Sequence, residues 1–187
     1  LYTAGGHDDL RPTTGIFSAV INTWAHSEEK LAPLRAEQTL IWMHRLRYVK
    51  PDKFLCDTVI RAWAKRGEID AATNAQKLLF RMHEMYQEGN LLAKPDTVSY
   101  NIVINARAKS GLKNAANAAE SLLCTMHHLH ALGDADVKPN VVTYGAVINS
   151  FAKSGDRGAA ARAHTLLADM IRLQQSDPVM HADLLPN

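Results

Sequence analysis

The stretch that decides the fold opens with Lys94-Pro95-Asp96-Thr97-Val98-Ser99-Tyr100-Asn101-Ile102-Val103-Ile104-Asn105 and continues to Ala108-Lys109-Ser110-Gly111. Tyr100, Ile104 and Ala108 stand at i, i+4 and i+8, the spacing of one face of an α-helix. Gly111 follows where a residue of positive φ can end that helix without Cβ strain. Beyond it, Ala115, Ala119, Leu122, Leu123 and Met126 form a second stripe of helical period. The stretch reads as a helical hairpin.

The pattern recurs in both directions. Basic-proline pairs at Arg11-Pro12, Lys50-Pro51, Lys94-Pro95 and Lys138-Pro139 are separated by 39, 44 and 44 residues. Counted from those prolines, one register aligns Ile21, Ile60, Ile104 and Ile148, and another aligns Ala25, Ala64, Ala108 and Ala152. Later in each unit come Ala36, Ala75, Ala119 and Ala163, then Leu40, Leu79, Leu123 and Leu167, then Met43, Met82, Met126 and Met170. Alanines let two helices approach closely while Leu and Met fill the space between hairpins, so all of these positions are expected in the core. One hairpin cannot bury its stripe alone, which makes stacking obligatory.

The expected architecture is therefore all-α, an α-solenoid of four tandem helix-turn-helix repeats at 12–50, 51–94, 95–138 and 139–187. Residues 1–11 read as the end of a preceding repeat, and Leu185-Pro186-Asn187 as the start of a following one. First helices are expected near 13–26, 53–66, 97–110 and 141–154, and second helices near 33–47, 69–88, 113–131 and 157–175. Gly67, Gly111 and Gly155 separate the two helices in three units. In the first unit Glu28 replaces the glycine, and Pro33 falls in the first turn of the second helix, where a missing N–H is tolerated.

Composition bounds the chemistry. The 187 residues are 47% hydrophobic and 21% charged, within the range of folded globular chains. A net charge of +2 is only mildly basic, so attraction for phosphate must come from where the cations sit. Cys56 and Cys124 form no C-x-x-C pair, which argues against a disulfide framework or a Cys-rich zinc site and favours a reducing compartment. No apolar run reaches the length of a membrane-spanning helix. The visible sequence opens without Met or a basic amphipathic leader, so it is expected to begin inside a longer protein.

No nucleophile-base-acid set, Gly-rich phosphate loop or deaminase-type H-x-E with C-x-x-C is visible, so neither catalytic residues nor a cofactor are expected within this stretch. Cys124 and His128 lie one helical turn apart, with His127 and His130 nearby, a spacing that could suggest a metal. A histidine directly after the Met also occurs as His44 and His83, too far apart to converge, so a repeated surface position explains His127 more simply and no metal is expected.

The W-x-x-L-G-x-x-Y pattern of tetratricopeptide repeats is absent from all four units. The run from Lys94 through Gly111, followed by Leu123 and Met126, closely resembles the pentatricopeptide repeat (PPR) family. So does Lys138-Pro139-Asn140-Val141-Val142-Thr143-Tyr144 through Ala152-Lys153-Ser154-Gly155. The resemblance extends over nearly the whole chain. It implies a right-handed superhelix that binds single-stranded RNA without catalysis, in a mitochondrion or chloroplast, acting in transcript processing, stability or translation. The family's usual repeat is about nine residues shorter than the longer units here, some two and a half helical turns. This extra length is expected in or after the second helix, on the side the family turns away from RNA, where it could dock a protein partner.

The resemblance also assigns roles. Each repeat of the family reads one base with the residue after the first-helix aromatic and the residue after the next boundary proline. That gives Ser18 with Asp52, Asp57 with Asp96, Asn101 with Asn140, and Gly145 with Asn187. Asn101 with Asn140 resembles a pyrimidine-selecting pair and Ser18 with Asp52 a guanine-selecting one. Asp57 with Asp96 sets two negative acceptors together, and Gly145 has no side chain to contribute. Phe54, Val98 and Val142 fit the family's base-sandwiching position, which Gly15 does not. Lys65, Lys109 and Lys153, with His26 in the first unit, would meet phosphate.

Each assignment has a plainer counterpart. Lysines at helix C-termini complement the macrodipole, and Asn101 and Asn140 could simply bond to nearby backbone. The competing function is a structural subunit, scaffolding an organellar ribosome or another large assembly through the lengthened second helices.

Overall fold

The computed structural model describes residues 10–66 and 69–176. Among them the chain is all-helical, with no strand: α1 Thr14–His26, α2 Ala32–Arg45, α3 Lys53–Ala64, α4 Ile69–Gln87, α5 Thr97–Lys109, α6 Ala115–Ala131, α7 Val141–Ser154 and α8 Ala159–Ser176. Consecutive helices pair as the hairpins α1–α2, α3–α4, α5–α6 and α7–α8. The first helices pack in a row, α1 on α3, α3 on α5 and α5 on α7. Each of α2, α4 and α6 also packs on the first helix of the next hairpin, while the second helices stand further from one another.

Local chemistry explains the boundaries. Asp52, Asp96 and Asn140 are the N-caps of α3, α5 and α7, and their side chains accept backbone N–H groups of the first turn. Asp96 with Ser99, and Asn140 with Thr143, form reciprocal capping boxes. At the other end Gly111 and Gly155 both adopt φ 66°, the left-handed stop expected of them. Gly67 lies outside the described residues. Pro33 sits in the first turn of α2, as the sequence suggests.

The stripes form the core. Ala36, Ala75 and Ala119 are fully buried between helices, as are Met43, Met82 and Met126. Leu40, Leu79 and Leu123 join them, but Leu167 in α8 is 40% exposed and Ala152 is exposed on α7, contrary to the expectation that every repeat position is core. The reason is geometric: no described hairpin stacks on that side of α7 and α8, so the stripe that a neighbour would cover meets solvent. Ala25 and Ala64, in the last turns of their helices, are half-buried.

The extra length of the longer units divides in two. Part extends the second helices, to 19 residues in α4 and 17 in α6 against 14 in α2. The rest forms one-turn 3-10 segments, Leu91–Ala93 and Ala135–Val137, anchored by buried Ala93 and Val137. These turns return to the N-terminal end of their own first helix. Asn90 Nδ2 donates to the Pro51 carbonyl at 2.8 Å, and Thr97 Oγ1 donates to the carbonyls of Asp136 at 3.0 Å and Lys138 at 2.7 Å. The extra length thus falls in and after the second helices, as expected, but part of it returns beside the first-helix N-termini and is not confined to the outer side.

Candidate nucleic-acid interface

The described residues expected to read or sandwich bases lie at the N-terminal turns of the first helices. Two of the four expected pairs come together. Asn101 Nδ2 lies 3.4 Å from Asn140 Oδ1, and Thr143 Oγ1 donates to Asn101 Oδ1 at 2.7 Å. The same joint one repeat earlier uses the same geometry: Ser99 Oγ donates to Asp57 Oδ1 at 2.7 Å, and Asp96 stands alongside as the N-cap. A hydroxyl in the first turn of α5 and of α7 thus fixes a side chain of the preceding repeat.

The two acids do not face each other uncompensated. Lys53 Nζ lies 2.7 Å from Asp96 Oδ2 and 3.9 Å from Asp57 Oδ2, so an ammonium group sits between them. Asp57 is only 4% exposed, and burial raises its carboxyl above the ordinary value despite the Ser99 bond and Lys53. Burial would also raise Asp96, but the Lys53 bond and the first-turn N–H groups outweigh it and hold that carboxyl below its ordinary value. The Asp96 bond raises Lys53 in turn. Sequence reasoning missed Lys53; the signal was available, since the matching positions in other units are Thr14, Thr97 and Val141.

The remaining pairs are not joined. Ser18 Oγ turns back to the Thr14 carbonyl at 2.8 Å, while Asp52 caps α3 by accepting from Leu55 N at 2.8 Å. Gly145 is exposed with open space around it, and its expected partner Asn187 lies outside the described residues. Capping occupies Asp52, Asp96 and Asn140 in every case, so the plain role of these residues is real whatever else they do.

Phe54, Val98 and Val142 are all exposed, one turn from the paired side chains. Lys65, Lys109 and Lys153 are exposed at the opposite, C-terminal ends of α3, α5 and α7. His26 and Lys65 line one groove of about 320 Å³ between the first two hairpins. Across that joint Arg66 bonds the carbonyls of Glu28 and Glu29, holding the hairpins in register.

A second set of partners recurs along the joints. His83 Nε2 lies 2.8 Å from the Tyr100 hydroxyl and His127 Nε2 lies 2.8 Å from that of Tyr144, each pair edge to face at 5.8 Å. Burial lowers His83 and pushes Tyr100 up to about 12, which favours a neutral imidazole beside an un-ionised phenol. The histidine after the Met is consequently a joint residue, not the surface position expected of it. In the unit where Cys56 replaces the aromatic, His44 instead meets Glu88 at 3.1 Å. Among the described residues no group of His, Cys, Asp and Glu is placed to hold a metal, and no helix is long and apolar enough to cross a membrane. Compared with known proteins, the chain matches no family model and no curated protein.

Proposed function

We propose that this chain is a pentatricopeptide-type array, a right-handed solenoid of four repeats that holds single-stranded RNA along its first helices. It acts by occupancy, without catalysis, in transcript processing, stability or translation within a mitochondrion or chloroplast. The observation that carries the reading is the pairing of Asn101 with Asn140, half-exposed and fixed by Thr143 between exposed Val98 and Val142. Amide side chains held at that separation can meet the Watson-Crick edge of an unpaired base, and the two valines offer apolar surface to its faces. The closer packing of first helices than of second helices supports a curve with the first-helix face inside.

Selection from a randomised RNA pool tests this reading. Enriched sequences should shift in composition when Asn101 or Asn140 is replaced by Ser, and a pool that returns unenriched would sink it. If Lys65, Lys109 and Lys153 each neutralise one phosphate, log affinity should fall against log salt with a slope of roughly −2. A slope unchanged in a variant with all three lysines replaced by Gln would remove them from the interface.

The second reading is a structural subunit of an organellar ribosome or other assembly. It is favoured by Asp57, whose carboxylate is buried and already satisfied by Ser99, and by exposed Leu91 and Leu92 on an inserted turn and Leu132 at the end of α6. Failure of the RNA selection together with co-purification of a large ribonucleoprotein particle would favour it.

A further inference from the structure

At the joint between the second and third hairpins, Lys94 Nζ is held by Asp134 Oδ1 at 2.9 Å and Asp136 Oδ2 at 2.7 Å. One repeat earlier the corresponding residues are Lys50, Asn90 and Leu92. An amide and a leucine thus stand, by register, where the counterpart of Lys50 meets two carboxylates. The unit that ends at Lys50 is also the short one. An open cavity of about 740 Å³ lies here, lined by His44, Arg45, Arg47, Lys50, Glu88 and Asn90.

The charge in this cavity is unbalanced. Arg45, Arg47 and Lys50 form no ion pair among the described residues, and the one carboxylate on the wall, Glu88, is engaged by His44 at 3.1 Å. An adjoining hollow adds Arg81 and Glu84, one charge of each sign, which leaves the excess unchanged. Arg47 takes φ 60°, a left-handed conformation that a side chain with a Cβ disfavours. Asn90 is 3% exposed; its Nδ2 is used by the Pro51 carbonyl, but its Oδ1 has no partner.

We propose that this cavity is an anion site for a phosphate group. Arg45, Arg47 and Lys50 supply charge-assisted donors to the phosphate oxygens. The site is separate from the lysines at the first-helix C-termini. Lys50 precedes α3 and Lys65 follows it, and a helix of 12 residues spans about 18 Å. The proposal does not depend on the RNA reading.

Isothermal titration of inorganic phosphate into the 187-residue chain at low ionic strength tests it. Arg47→Gly removes a guanidinium while easing the backbone at φ 60°, so this variant keeps the fold and should melt no lower than the parent. Lys50→Gln removes the second charge from an exposed position. Phosphate should bind the parent and weaken about tenfold or more in each variant. Absence of binding to the parent, or equal affinity in all three proteins, overturns the site. A parallel titration with single-stranded RNA assigns the source. RNA affinity that falls in the same variants identifies the phosphate of a strand; loss of inorganic phosphate binding alone identifies a small phosphorylated molecule.

Discussion

Leu123→Ala is expected to lower stability by about 3 kcal/mol, within the range of about 2–5 kcal/mol for deleting a buried leucine side chain. Leu123 is 2% exposed and belongs to the continuous core. Its removal loses the apolar burial of the side chain and leaves a void that surrounding helices only partly close. Leu167→Ala is the matched control, since it occupies the same repeat position at 40% exposure. It should lose less than about 1 kcal/mol, because only part of the side chain is withdrawn from water. Urea denaturation followed by far-UV circular dichroism measures both. Equal losses at the two positions would show that repeat register, and not coverage by a neighbouring hairpin, sets the energy.

The second large effect is a change in the pH dependence of stability on Lys53→Met. In the parent, two opposing contributions meet at Lys53, which favours the charged form of both acids. Asp57 has its carboxyl raised, chiefly by burial, so its penalty is present above the folded pKa and relieved as pH falls through it. Asp96 is lowered, so its contribution is present above the ordinary carboxylate range and lost as pH falls through the folded value. Without Lys53 both carboxyls lose a cation that favours their charged forms, so both shift upward, the penalty on Asp57 grows and the stabilising share of Asp96 shrinks. The variant should be less stable than the parent by roughly 1–2 kcal/mol at pH 7, a modest figure because the Lys53 side chain is 39% exposed and solvent screens it. Part of that loss should be regained between pH 7 and about 5, above the ordinary carboxylate pKa near 4. Denaturation midpoints across that interval decide it; a difference between variant and parent that stays flat with pH would mean the acids do not depend on Lys53.

Periodicity made the helices and most of the core legible. Ala119, Leu123 and Met126 declare themselves because a buried helix face must repeat near every fourth residue, and a stacked array must repeat that face. Asp52, Asp96 and Asn140 stood out after their prolines as residues the resemblance assigns to base reading, while their capping of α3, α5 and α7 came with the structure. Hidden in the sequence were contacts between units, which depend on the angle at which hairpins meet. Lys53 reaching Asp96, Thr143 reaching Asn101, and His83 reaching Tyr100 are of this kind. The exposure of Leu167 was hidden for a different reason: a repeat pattern states which face wants covering, not whether a neighbour covers it. The cavity beside Lys50 was legible only by comparing units, where Asn90 and Leu92 stand in place of Asp134 and Asp136.

Because every hairpin packs on the next in sequence, the residues that must find each other during folding are separated by about one repeat and seldom by more. Loop-closure entropy rises with the length of chain enclosed, and here that length is set by a single unit, not by the size of the whole molecule. Assembly can accordingly start at any joint and spread, and appending another hairpin would add stability without slowing the first productive encounter.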